Sequence, residues 1–263
     1  MDPNEALMQV QRIDADTFVI RQSVHTNFEA PFLYLLFGSD RAMLIDGGAG
    51  GLAIRPTIDA VIDIWLSEHH RQSIPLIVAH SHGHGDHHQG DGEFAYRPDT
   101  RVIGLSPEAV ASFFQIEHWP DGIGSFDLGG RRLSILPTPG HEAAHIMVYD
   151  PNTEILFSGD MLYPGRLYVP KDKFADFVAS ADRLVAFKRD HPVRMVLGAH
   201  IEMTGASGRD YPMRALTHPN EHVLELNASA IDRLDAAAHA MEKAPQRKEH
   251  GDFIIYPLPP RDE

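Results

Sequence analysis

An apolar strand that runs directly into a cluster of histidines constrains this chain more than any other feature. Residues 75–79 read PLIVA and residues 80–88 read HSHGHGDHH. The first run has the length and β-branched content of a strand buried on both faces. Ligand sites in α/β proteins lie beyond the carboxyl ends of strands. The histidines are therefore placed where such a site would form.

The spacing inside this cluster predicts metal chelation. An extended backbone puts His82, His84 and Asp86 on one face, whereas His87 points elsewhere. The two intervening glycines allow the backbone to bend and aim each side chain. A mixture of imidazole and carboxylate ligands at this spacing suits two metal ions, one held by His82 and His84 and the other by Asp86 and His87. A solvated polar loop that is merely rich in histidine is the alternative.

Two ligands for each metal are too few, and three later strand ends offer more. His141 follows the turn TPG, Asp160 follows the apolar run ILF with SG between them, and His200 follows the run VRMVL with GA between them. Each residue stands where a strand meets a loop, beside a glycine. We therefore predict that these three side chains complete the metal centre.

The order of strands and helices predicts an α/β layered protein, in which two similar halves each contain strands, a helix and a further strand. We treat residues 1–263 as one domain in which 201–263 form a mostly helical C-terminal extension. The predicted strands are a hairpin at 8–21 and runs at 32–37, 42–45, 75–79, 102–105, 132–136, 145–149, 154–157, 193–197 and 253–256. The predicted helices are 55–68, 173–188 and 220–242.

Composition narrows the possible partners and ligands. The formal net charge of −14 disfavours a nucleic-acid partner, because an acidic surface repels phosphates. The chain has no cysteine, which excludes disulfides, thiolate catalysis and cysteine ligands to metal. No apolar run is long enough to cross a membrane, and no secretory leader is visible. We expect a cytoplasmic enzyme with a small-molecule substrate, and a homo-oligomer is a candidate assembly.

The segment HEAAH at 141–145 also matches the zinc-protease pattern, in which two histidines on one helix bind zinc and Glu142 acts as a base. That pattern requires a long helix. Here TPG precedes the segment, and the strand-like run IMVY follows it. We therefore expect His141 alone to bind metal, with His145 lying near the site.

The ordered motifs HGHGDH, TPGH, SGD and GAH, together with IDGG at 45–48, resemble those of the metallo-β-lactamase superfamily of hydrolases, in particular its glyoxalase II-like and lactonase-like members. The resemblance implies an αββα sandwich, in which two mixed β-sheets are flanked by helices and the site lies along one edge. It implies that Asp160 bridges two metals together with a hydroxide, and that Asp46 supports the centre. It assigns the remaining ligands as His82, His84 and His141 for metal one, and Asp86, His87 and His200 for metal two.

The resemblance also implies an activity, which is hydrolysis of an ester-like carbonyl by a metal-bridging hydroxide. An aspartate at position 160 is typical of the thioesterases and lactonases of this family, which favours a thioester or lactone substrate over a β-lactam. Tyr163 is similar to a lactonase tyrosine that faces the substrate, so the predicted catalytic residues are Asp86, Asp160 and Tyr163. We expect His80 and His145 to orient metal ligands. The expected cofactors are two divalent ions, zinc above all, with iron or manganese as alternatives.

Other functions compatible with these motifs are a mononuclear iron persulfide dioxygenase, a β-lactamase and a non-catalytic metal-binding scaffold. Arg166, Lys171 and Arg214 are basic residues that could contact glutathione, although no motif of the family fixes them.

Overall fold

The computed structural model describes residues 6–260 and contains two six-stranded sheets. The strands of the first sheet are β1 (Met8–Asp14), β2 (Thr17–Gln22), β3 (Phe32–Phe37), β4 (Ala42–Ile45), β5 (Leu76–Ala79) and β6 (Thr100–Val102). They lie in chain order, antiparallel from β1 to β4 and parallel from β4 to β6. The first sheet is therefore mixed.

The second sheet is also mixed. Its strands are β7 (Gly124–Asp127), β8 (Arg132–Pro137), β9 (Ile146–Asp150), β10 (Ile155–Gly159), β12 (Met195–Gly198) and β13 (Glu225–Leu226). They run antiparallel except for the parallel pair β10 and β12. A third, small sheet joins β11 (Arg166–Pro170) to β15 (Ile254–Leu258), which in turn pairs with β14 (Lys248–Glu249).

Residues 6–260 also contain five α-helices: α1 (Arg55–Glu68), α2 (Gly85–His88), α3 (Pro107–Phe114), α4 (Phe174–Asp190) and α5 (Ser229–Met241). Their apolar spacing explains how they pack. In α1, Ile58, Val61, Ile62 and Trp65 are buried against the first sheet. Helix α4 has a buried apolar stripe that begins with Phe174 and Phe177. Helices α4 and α5 pack together and cover the second sheet.

Three apolar cores separate four layers. One core lies between α1 and the first sheet, a second lies between the two sheets, and a third lies between the second sheet and the pair α4 and α5. This arrangement is the predicted αββα sandwich of two mixed sheets flanked by helices.

Most predicted elements are present, and the differences are local. Strands at 32–37 and 42–45 and the helix at 55–68 have the predicted bounds, and the strand predicted at 253–256 is present as β15. Helix α3 and strands β7, β11 and β14 were not predicted. The last helix starts at Ser229 instead of near residue 220. The segment after residue 200, expected to be mostly helical, contains this one 13-residue helix and three short strands within its described part. No helix among the described residues is long and apolar enough to span a membrane.

Candidate metal centre

The predicted ligands meet at one edge of the sandwich, where strands of both sheets end. From the first sheet, β5 leads into the histidine cluster. From the second sheet, β10 ends at Gly159 beside Asp160, β12 ends at Gly198 two residues before His200, and the loop before β9 contributes His141. Parallel pairing of β10 with β12 brings their carboxyl ends together. The fold thus gathers residues that lie more than 100 positions apart.

Three imidazole nitrogens form the first group of potential ligands. Nε2 of His82 lies 2.9 Å from Nδ1 of His84 and 3.2 Å from Nε2 of His141, and the latter two nitrogens are 2.9 Å apart. Metal–nitrogen bonds of about 2.0–2.1 Å place tetrahedral neighbours at comparable separations. The three nitrogens therefore converge on a common point with the geometry of a metal site.

The second group combines two imidazoles with a carboxylate. Oδ2 of Asp86 lies 3.2 Å from Nε2 of His87 and 3.3 Å from Nε2 of His200, and these two nitrogens are 3.4 Å apart. Both histidines are buried, and Asp86 is partly exposed. This group offers one oxygen and two nitrogen atoms that could hold a cation.

Asp160 stands between the two groups and presents one oxygen to each. Its Oδ2 lies 3.9 Å from Nε2 of His82 and 3.5 Å from Nε2 of His141. Its Oδ1 lies 3.5 Å from Nε2 of His87 and 3.3 Å from Nε2 of His200. Oδ1 is buried and has no hydrogen-bond partner among the described residues. A buried carboxylate oxygen without a partner is costly unless a cation binds it, so the residues fit a bridging position between two metals.

Contacts behind the histidines fix which ring nitrogen faces the centre. Nδ1 of His141 donates to the carbonyl of Tyr168 at 2.6 Å, and Nδ1 of His200 donates to the carbonyl of Glu29 at 2.8 Å. A carbonyl can only accept, so Nδ1 of each ring carries a proton, and in the neutral ring Nε2 has the lone pair that a metal would bind. Such outer contacts orient metal ligands in proteins generally.

Asp46 supports the second group from beneath. It follows β4 with a left-handed φ of 72°, a conformation that residues other than glycine adopt at a cost. Its Oδ2 accepts from Nδ1 of His87 at 2.9 Å, and its Oδ1 accepts from the backbone N–H of Ser81 at 2.7 Å. The hydroxyl of Ser81 also donates to Asp46, at 3.0 Å. This buried network ties the end of β4 to the histidine loop.

His145 contacts the bridging residue and lies outside every group of converging ligands. Its Nε2 accepts from the backbone N–H of Asp160 at 3.2 Å, and its Nδ1 lies 2.7 Å from the Thr138 hydroxyl. Residues 141–145 form bends and a turn before β9, without a helix. The helix that the zinc-protease pattern requires is therefore absent from this segment, and His145 is positioned to hold Asp160.

Two predicted site residues make contacts other than those expected. His80 is buried, and its Nε2 bonds to Asp91 at 2.8 Å, so its hydrogen bond reaches none of the seven ligand candidates. Tyr163 is 1% exposed, and its hydroxyl donates to the carbonyl of Arg166. Its ring lies against His200 with 5.5 Å between ring centroids. The structure thus places Tyr163 in the core behind His200 and not on an open face toward substrate.

Close glycines account for the position of Tyr163. A Cβ on Gly165 would approach its ring to 2.2 Å, and a Cβ on Gly198 would approach its Cβ to 2.3 Å. Only residues without a side chain let the backbone pass this close to the tyrosine.

The charges of the centre compensate one another. Burial works against ionisation of Asp160, but the nearby His200 and His87 hold the pKa of its carboxyl well below its usual range. Burial lowers the pKa of His82, His141 and His145. These three rings are therefore neutral near pH 7, the form in which imidazole binds metal.

In His87 and His200 the neighbouring carboxylates outweigh burial. Asp46 and Asp86 act on His87, Asp160 acts on His200, and the pKa of both histidines is raised well above its usual value. A bound cation would replace these protons as the partner of the carboxylates.

The donor set suits divalent cations that accept nitrogen and oxygen ligands, including zinc, manganese and iron. A further group, formed by Asp182, Asp235 and His239, lies on α4 and α5 and is largely exposed. The outer contacts from Ser81, Thr138 and the carbonyls of Glu29 and Tyr168 were not predicted. A backbone carbonyl leaves no signal in the sequence, since every residue has one.

Comparison with known proteins identifies the class. A model of the metallo-beta-lactamase superfamily matches residues 27–200, so the chain belongs to that superfamily, as its motifs predict. The acyl-coenzyme A thioesterase MBLAC2 of Homo sapiens is 25% identical over 222 residues, which cover 72% of this chain and 79% of the relative. A hydroxyacylglutathione hydrolase of Halorhodospira halophila is 34% identical over 119 residues, which cover 45% of this chain and 44% of the relative.

Solved structures confirm the fold. A metallo-beta-lactamase from Pontibacter korlensis matches with a TM-score of 0.56 at 18% identity, covering 88% of this chain and 99% of its own. The FIM-1 metallo-beta-lactamase from Pseudomonas aeruginosa matches with a TM-score of 0.58 at 15% identity, covering 92% and 99%. The two sequence relatives described above are named hydrolases, which agrees with the predicted enzyme class.

Proposed function

We propose that this chain is a dinuclear metal-dependent hydrolase of ester-like bonds, with thioesters as its main substrates. The observation that carries the proposal is Asp160, whose two oxygens face two separate groups of metal-ligating atoms. The names of the relatives, an acyl-coenzyme A thioesterase and a hydroxyacylglutathione hydrolase, favour a thioester over a lactone.

The site residues divide the work of such a reaction. His82, His84 and His141 would hold one cation, Asp86, His87 and His200 would hold the other, and Asp160 would bridge them. When bound, divalent cations lower the pKa of a water molecule and polarise a carbonyl oxygen. No side chain is then needed as a nucleophile, which suits a chain without cysteine.

Exposure indicates where the substrate would enter. Of the seven ligand residues only His84 and Asp86 are partly exposed, and the other five are buried. A thioester would therefore approach over these two residues, with its carbonyl toward the centre. Asp46 and His145 would act indirectly, by holding His87 and Asp160 in place. A cytoplasmic location and a homo-oligomeric state stay predictions.

Metal analysis combined with a substrate panel tests the proposal. The protein, loaded separately with zinc, manganese and iron, is assayed on matched thioester, lactone and β-lactam substrates. We expect two ions per chain and the highest kcat/KM on thioesters. A single ion per chain with consumption of oxygen on a persulfide would instead support the dioxygenase alternative. Preferential turnover of the β-lactam would support a β-lactamase.

A further inference from the structure

A cavity of about 250 Å³ lies on the flank of the metal centre. Two of its lining residues, Glu29 and Tyr168, supply the carbonyls that hold His200 and His141. Two others, Ile201 and Glu202, directly follow His200 in the chain. The cavity therefore adjoins ligands of both proposed metals, where one end of a substrate would lie.

Apolar side chains line much of this cavity and remain open to solvent. Phe28 is 36% exposed and Met213 is 61% exposed. The other apolar residues of the wall are Tyr168, Ile201, Pro212, Ala215 and Leu258. Exposed apolar side chains grouped beside a site are typical of a ligand-binding surface. An apolar part of a substrate would bury them.

The basic residues that line the cavity differ in whether a carboxylate of the protein already neutralises their charge. Arg166 is buried between Glu202 and Asp210, each 3.6 Å from its guanidinium, and His218 lies 2.9 Å from Glu221. The guanidinium of Arg214 lies over the ring of Phe28, 5.2 Å from its centroid. It forms no ion pair with any residue from 6 to 260. Arg214 is thus the lining cation that can pair with an anionic group of a ligand.

The backbone on both sides of the cavity is strained. Arg214 has a φ of 60°, and Ala30, next to Glu29, has a φ of 42°. Residues other than glycine occupy this region at a cost, and such positions concentrate at ligand clamps. Ala30 directly follows the lining residues Phe28 and Glu29, and Arg214 is itself a lining residue.

We propose that this cavity is the specificity pocket of the enzyme, and that it selects a substrate portion that is apolar and carries one carboxylate, which Arg214 binds. The inference rests on the proposed thioesterase function. The carboxyl group of Glu29 also lines the cavity and, when ionised, would repel a polyanion. Polyphosphate groups such as those of coenzyme A need several uncompensated cations. The pocket therefore fits a small, singly charged thioester better than an acyl-coenzyme A.

Matched thioesters test the charge requirement. The metal-loaded enzyme is assayed on an octanoyl thioester of N-acetylcysteamine, on the analogue of equal length with a terminal carboxylate, and on an octanoyl thioester whose carboxylate is on the thiol portion. We expect one of the charged substrates to have a kcat/KM above that of the neutral one. The identity of the better charged substrate shows whether the pocket holds the acyl or the thiol portion.

Arg214→Gln tests the role of the arginine. It should lower the ratio of kcat/KM for the better charged substrate to kcat/KM for the neutral octanoyl thioester by about tenfold, the size of a lost charge-assisted hydrogen bond. Arg132→Gln changes an exposed arginine paired with Asp127 outside the cavity and should leave the ratio unchanged. Met213→Ser should lower kcat/KM for the octanoyl thioester of N-acetylcysteamine more than for the acetyl thioester of the same thiol, which is assayed beside it. An unchanged ratio in Arg214→Gln, or a preference for octanoyl-coenzyme A over the neutral octanoyl thioester, overturns the proposal.

A binding measurement separates this inference from the hydrolase assignment. Calorimetry measures the affinity of the metal-loaded protein for a non-hydrolysable thioether analogue of the preferred substrate, and of the analogue in which an amide replaces the carboxylate. If no thioester is hydrolysed but Arg214→Gln weakens only the carboxylate analogue, the pocket stands and the proposed reaction fails. Equal binding of both analogues to wild type and variant refutes the pocket by itself.

Discussion

The change Asp160→Asn tests the bridging role most directly. An asparagine keeps the shape of the side chain, but only one of its two terminal atoms, the amide oxygen, has a lone pair that can bind a metal. The amide oxygen can serve one group of ligands, and the NH₂ then faces the other with protons instead of a lone pair. One metal should be lost in preference to the other. We expect it to be the one near His87, His200 and Asp86, which has fewer nitrogen ligands than the first group.

The size of the effect follows from the distances in the centre. The carboxylate oxygens lie between 3.3 and 3.9 Å from four imidazole nitrogens. Two of these nitrogens belong to the positively charged rings of His87 and His200, and removing a unit charge about 3.5 Å from one such ring costs ~5 kcal/mol at an effective dielectric constant of about 20. A bound cation would carry the positive charge in place of these rings. The amide dipole offsets part of this cost. Changes in outer contacts alone weaken metal binding about 10–100-fold, so a bridging ligand should cost at least about 100-fold.

The assay measures metal content and activity together. Wild-type and Asp160→Asn proteins are equilibrated at the same free metal concentration, analysed for ions per chain, and assayed for thioester hydrolysis. We expect about one ion per chain in the variant and most activity lost. Asp127→Asn alters an exposed carboxylate in β7 and controls for the chemistry of the substitution. Full metal content with a near-normal rate in Asp160→Asn would show that this residue merely caps the end of β10.

Three further outcomes follow from the geometry. Glu142→Gln should leave most activity intact, because residues 141–145 form no helix that would aim Glu142 at a metal. Loss of turnover with metal still bound would instead support the zinc-protease interpretation. His145→Ala should keep both metals and lose less activity than His141→Ala, since His145 contacts the backbone of Asp160; metal loss equal to that of His141→Ala would contradict this. The metal-free protein should be most stable near neutral pH, as measured by thermal unfolding. The pKa of buried His145 is lowered, so its contribution to stability is lost as the pH falls below about 6.5. The pKa of His87 and of His200 is raised, so their contribution is lost as the pH rises through those raised values. Bound metal should remove this loss of stability at alkaline pH, because both rings then serve as neutral ligands. An equal loss of stability at alkaline pH in the metal-loaded protein would count against these two histidines as ligands.

The sequence predicts the centre better than its surroundings. His141, Asp160 and His200 could be found because each follows an apolar run and a glycine, a local signal for a strand end at a site. The carbonyls of Glu29 and Tyr168 could not be found, because their role depends on where the backbone passes and not on the side chain. Tyr163 shows the limit of a spacing rule. Its spacing from Asp160 matches that of a tyrosine that faces substrate. In the structure, however, the chain passes close to its ring at Gly165, and its hydroxyl donates to the carbonyl of Arg166.

The fold shows a similar division between local and distant information. The strand at Phe32–Phe37 is a continuous apolar run, helix α1 has apolar residues at helical spacing, and both were predicted with their observed bounds. Strand β11 contains only five residues and ends in a proline, and its partner β15 lies more than 80 residues later in the chain. A pairing of this kind depends on tertiary contacts that no local pattern records.

That late partner has a consequence for biogenesis. Tyr168, whose carbonyl holds His141, pairs in register with Tyr256 near the end of the described chain. During translation His141 leaves the ribosome long before residues 254–258 are made. A nascent chain would therefore carry an incomplete sheet beside one proposed metal position, and full metal insertion should follow synthesis of this last strand. Truncation before residue 254 would leave the early motifs intact while loosening the part of the centre around His141.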